Sequence, residues 1–135
     1  MKKALLTLLI VVLATTISLA NTECKEKIMQ MHDNGIVKEK LFIYDTHFKV
    51  ISYFLNGSIE EIGYYDLKGE KTGAWIRYNE KGIIVAEANY KNDLKNGEWK
   101  IYNDEGLMTV YILYKKGKKK SICCWSEEKG LMVMK

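Results

Sequence analysis

Two stretches of this 135-residue chain, "GAWIRYNEKG" (Gly73 to Gly82) and "GEWKIYNDEG" (Gly97 to Gly106), carry Gly, Trp, Tyr and Gly at the same offsets, 24 residues apart. Self-similarity at such a period marks a chain assembled from stacked supersecondary units, none of which buries its apolar face alone. Aligned on the closing glycine, the series runs Gly35, Gly57, Gly82, Gly106, Gly130, at intervals of 22, 25, 24 and 24. Four residues before each glycine stand Met31, Tyr53, Tyr78, Tyr102 and Ser126, and seven before stand Ile28, Val50, Trp75, Trp99 and Cys123. Eight after the first four come Ile43, Tyr65, Tyr90 and Tyr114. The signature is sharp in the centre and fades at both ends, as expected of units that cap a stack.

Each unit reads as a β-hairpin. "YNEKG" and "YNDEG" set Asn at the first turn position and Gly at the fourth, a type I turn closed by a left-handed residue. "AWIRY", "IIVAEANY" and "LMTVYILY" on either side are aromatic and β-branched, with period two in the last. A second set of turns, "DLKGEKTG", "KNDLKNG" and "KKGKKKS", joins one hairpin to the next. "TECKEKIMQMHDNG" also reads as a short helix capped by Thr22 and stopped by Gly35, but Ile28, Met31 and Gly35 keep the repeat frame, which favours a strand. The expected fold is all-β, an open antiparallel meander of about five stacked hairpins, with units near 28–47, 48–72, 73–96, 97–120 and 121–135.

"YKNDLKNGEWKIYNDEGLMTVYILYKKGK" resembles the variant MORN repeat of the YwqK-type bacterial antitoxin family. The resemblance covers Ile28 to about Lys135 and is closest in the two central units. It implies a hairpin array with no catalytic residue and no cofactor, and an antitoxin-like role against a toxic partner. The first and last units depart from the pattern, because Trp and Tyr are replaced there.

The first twenty residues stand outside the repeat. Lys2 and Lys3 precede an uncharged run from Ala4 to Ala20 that closes on Ser18-Leu19-Ala20, the layout of a secretory signal cleaved near Ala20. A retained anchor is the alternative. Asn21, Thr22 and Glu23 before Cys24 do not form a lipobox, which argues against a lipid anchor. The expected location is periplasmic or extracellular. Removal of the leader takes two lysines and no acid, so the formal charge falls from +4 to +2 and selects no partner by itself. Arg77 is the only arginine, so bidentate phosphate recognition is poorly supplied and nucleic acid is the least favoured target.

Nothing in the chain spells catalysis. His32 and His47 fall in expected turns, away from metal-ligand spacing, and Glu80, Asp104, Glu105, Glu127 and Glu128 fit solvated turns. Cys24, Cys123 and Cys124 are odd in number, and the last two lack CxxC spacing. Cys123 takes the Trp position of its unit as a small apolar filler. A Cys24 bond to either of the others requires the sheet to close, since the ends of a ten-strand array lie about 40 Å apart.

Two features bear on partners. Lys115, Lys116, Lys118, Lys119 and Lys120 read either as a solvated turn, like the Lys-rich "YKNDLKNG", or as a contact with an anionic membrane or envelope surface. Trp75, Tyr78, Tyr90, Trp99, Tyr102 and Tyr114 read as ladders between hairpins. Trp and Tyr of one unit are three apart and so point to opposite faces, which leaves one row as a recognition surface for a protein partner. The edge strands at the two ends of the array offer a route to a homodimer.

Overall fold

The structure, a computed structural model, describes residues 24–126 and 130–134. The leader expected over 1–20 lies outside the described residues. Strands β1 (Lys25–Met31), β2 (Val37–Ile43), β3 (Phe48–Tyr53), β4 (Ile59–Tyr65), β5 (Lys71–Tyr78) and β6 (Ile84–Lys91) make the first half. The short β7 (Leu94–Lys95), then β8 (Gly97–Tyr102), β9 (Met108–Lys115), β10 (Lys118–Ser126) and β11 (Gly130–Met134), make the second. The segment with the competing helical reading is β1, as the repeat frame requires.

All strands join one open sheet in chain order, β1-β2-β3-β4-β5-β6-β8-β9-β10-β11, with every neighbour antiparallel and β7 paired to β6 off that path. The reversals therefore fall alternately at two ends of the strands. At one end, Asn79 and Asn103 build identical turns. Gly82 N–H donates to Asn79 C=O (2.9 Å) and Asn79 N–H to Ile83 C=O (2.9 Å); Gly106 and Leu107 repeat this on Asn103 at 3.0 and 2.9 Å. The Asn side-chain oxygens accept from Lys81 and Ile83, and from Glu105 and Leu107, which pre-forms the reversal locally. Gly82 and Gly106 sit at φ 79° and 81°, where a side chain with Cβ is strained. Gly35 and Gly57 close the same kind of turn on His32 and Phe54.

Just before three of these turns the register slips by one residue, at Ser52/Tyr53, Arg77/Tyr78 and Ile101/Tyr102. The tyrosine of the repeat thus marks a recurrent bulge, a device that increases local twist. Gly130 takes a different place from its counterparts. It opens β11 opposite Ser126, whereas Tyr78 and Tyr102 pair with Ile84 and Met108.

The opposite end uses three turn designs. Between β2 and β3, Tyr44 N–H donates to His47 C=O (3.0 Å), and neither Asp45 nor Thr46 takes a positive φ. Asp66 to Gly69 copies the Asn turn, with Asp66 accepting from Lys68 and Glu70. Asn92-Asp93 and Lys116-Gly117 are two-residue reversals with both φ positive, the type I′ geometry that suits twisted strands. No second layer covers the sheet among the described residues. Only Val50, Ile51 and Trp75 there are buried apolar residues, at 9%, 8% and 5% exposure.

Candidate functional site

Side-chain alternation gives the sheet two faces of different chemistry. On the first face, five rings interlock edge to face across successive strands: Tyr65–Trp75 (5.2 Å between centroids), Trp75–Tyr90 (6.0 Å), Tyr90–Trp99 (5.2 Å) and Trp99–Tyr114 (5.3 Å). Such geometry sets positive ring edges against negative ring faces. Each indole N–H is tied to the backbone at an equivalent place, Trp75 to Tyr64 C=O (3.2 Å) and Trp99 to Asn89 C=O (2.9 Å). Trp75 lies flat over Gly63, where a Cβ would stand 2.3 Å from a ring carbon. Lysines seal the row. Lys71 Nζ lies 3.9 Å from the Trp75 centroid and 5.2 Å from that of Tyr90, and Lys95 Nζ 4.3 and 5.1 Å from those of Trp99 and Tyr114. Burial pushes the Tyr65 and Tyr90 hydroxyls above their ordinary pKa of 10.0.

The second face carries one cross-strand row that changes character midway. Lys40, Ile51, Ile62 and Ile76 stand in register, followed by Glu87, Lys100, Tyr111 and Cys123. Lys100 bridges Glu98 (3.2 Å) and Glu87 (3.7 Å), and the hydrogen bond it donates to the Glu98 carboxylate raises its pKa. Tyr102 is raised first by burial and then by Glu87, which places it on this second face, opposite Trp99. Tyr78 and Tyr102, read as ladder residues on the face opposite the tryptophans because a spacing of three in a strand reverses the side chain's face, join no ring pair among the described residues. Trp125, also on this face, is 55% exposed. It borders a groove of about 400 Å³ with Asn103, Leu107, Met108 and Thr109.

The lysine turn lies at the end opposite the Asn turns. Lys115, Lys116, Lys118, Lys119 and Lys120 are all exposed, and Lys115 stands directly opposite Lys118. No carboxylate bridges any of the five among the described residues. Lys115 and Lys116 join Lys91, Asn92, Leu94 and Asn96 around a groove of about 270 Å³ between neighbouring reversals.

The histidines do more than face solvent from turns. His32 Nε2 lies 2.8 Å from Tyr53 C=O, joining the first two Asn-end reversals. His47 stacks on Tyr44 (4.6 Å, 12°) and tilts against Tyr64 (5.7 Å). The Cys24 thiol beside the Tyr44 hydroxyl raises that group's pKa. Cys24 adjoins β1 at one edge of the sheet, and Cys123 and Cys124 lie eight strand steps away in β10; all three are free thiols. Among the described residues no group of three His, Cys, Asp or Glu side chains is arranged to hold a metal.

The repeat spacing singled out Trp75, Tyr90, Trp99 and Tyr114 as ladder residues but not Tyr65, Gly63, Lys71 or Lys95. The lysine signal was present, since "KTGAW" and "KNGEW" place Lys four residues before Trp75 and Trp99. No protein-family model matches the chain, and the search of curated proteins finds no significant relative.

Proposed function

We propose that this chain is an exported, non-enzymatic hairpin scaffold that binds a protein partner along the second face of its sheet. The contrast in ring engagement carries this reading. The first-face aromatics spend their edges and faces on one another and on Lys71 and Lys95. On the second face, Tyr102 and Tyr111 stand among Glu87, Glu98 and Lys100, Trp125 is exposed beside Met108 and Thr109, and none of the three has a ring partner among the described residues. An exposed Trp beside half-buried Tyr residues that are rimmed by charge is the composition that anchors protein interfaces. The array is taken to be MORN-like on the strength of the central units; an antitoxin role rests on that resemblance alone. A photo-crosslinking residue at Tyr102 should capture one discrete protein in envelope extract, and the same residue at Tyr90 should not. Capture from Tyr90 alone, or none from either position, would overturn the reading.

A second reading has its own observation. Lys115 opposite Lys118 places like charges across the tightest part of a hairpin, which weakens the pair. The equivalent pair one unit earlier is Lys91 and Leu94. A turn needed only for reversal has no reason to concentrate five lysines, whereas an anionic membrane or envelope surface would use them at about 1 kcal/mol each. Binding to anionic vesicles that fades with rising salt, and is lost in a K118Q/K119Q/K120Q variant, is the outcome this reading requires. Salt-insensitive binding would contradict it.

A further inference from the structure

We propose that β11 pairs antiparallel with β11 of a second copy, continuing the sheet across a two-fold axis. The inference is independent of the contact-scaffold reading. Both ends of an open sheet expose a row of backbone donors and acceptors, and proteins protect such edges with charge, proline or bulges. The two edges of this sheet are treated differently. β1 begins Lys25-Glu26-Lys27, and its register with β2 shifts twice, between Ile28 and Gln30 and between Gln30 and Met31. Charge and irregularity together blunt that edge. β11 reads Gly-Leu-Met-Val-Met, with no charge and no proline, and its register with β10 runs through five pairs without a shift.

A regular, uncharged edge strand is a template for another strand. Its sequence is also compatible with itself. Antiparallel pairing centred on Met132 sets Leu131 opposite Val133 and Gly130 opposite Met134, twice over, and brings no like charges together within the strand. Pairing with β1 of another copy would instead set Lys25, Glu26 and Lys27 along an apolar strand and would generate an open filament. The two-fold axis closes the assembly at two copies. It stands perpendicular to the sheet, so each face stays on its own side and the second face runs on across both copies.

Light scattering on the purified chain, kept in reductant so that the three cysteines form no disulfide, tests this. The expected mass is that of two chains, falling to one on dilution. Met132→Lys should give a monomer at every concentration, and Ile28→Lys in β1 should leave the dimer intact. Hydrogen exchange on the unaltered chain supplies a check that needs no variant: β11 amides should gain protection as concentration rises, and β1 amides should not. A monomer at the highest soluble concentration would overturn the proposal. So would a dimer that Met132→Lys retains, or one that Ile28→Lys abolishes.

Discussion

The two faces of the sheet solve the same problem by different means. A single layer has no opposing sheet to bury its side chains, so each face must cover itself with its own neighbours. The first face does so with rings broad enough to reach the adjacent strand, in a run from Tyr65 on β4 to Tyr114 on β9. The second face does so with Ile51, Ile62 and Ile76 only as far as β5, then changes to Glu87, Lys100 and Tyr111. Stability should therefore be concentrated on the first face. The charged half of the second can change with little effect on the fold, which is the freedom a binding surface requires.

Mutations separate the two faces, and the largest effect is expected at the centre of the zipper. Trp75→Ala should cost about 4 kcal/mol in denaturant unfolding, as for a buried aromatic, against about 1 kcal/mol for Tyr102→Ala on the other face. Equal losses would break the comparison. Gly63→Ala comes next, at about 3 kcal/mol, because its methyl group must displace the Trp75 ring; a shift in tryptophan emission should accompany the loss. Gly106→Val should cost about 2 kcal/mol, because it forces a branched residue to φ 81° and crowds Ile83. Smallest, Lys95→Met keeps the aliphatic stem but removes the charge over Trp99 and Tyr114, for about 1 kcal/mol. Lys115→Met, which leaves no ring uncovered, should be neutral or slightly stabilising.

How far the sequence reveals this depends on the range of each interaction. The hairpins were legible because an Asn side chain, a glycine and two flanking strands act within a dozen residues, and Asn79-Gly82 and Asn103-Gly106 carry that signal openly. The placement of Trp75 and Trp99 followed from their period, and their separation from Tyr78 and Tyr102 followed from strand alternation. Gly63 was not legible. Its role is set by a ring twelve positions later in the chain, and a glycine inside a strand carries no mark of which residue lies over it. Lys71 and Lys95 looked like ordinary turn residues because the rings beneath them come from two different strands. The end of the repeat frame was misleading in one respect. Gly130 keeps the interval of the series but opens a strand opposite Ser126, and the sequence just before it carries no Asn.

Everything proposed for the faces and edges requires the sheet to be open, and the native cysteines at its two ends allow that to be measured. Spin labels on Cys24 and Cys123, with Cys124 replaced by Ser and the labelled chain diluted in unlabelled protein, report the span within one molecule. Eight strand steps predict a separation of about 40 Å by double electron–electron resonance. A separation of one or two strand spacings, about 10 Å, would mean that β1 and the C-terminal strands meet and the sheet closes.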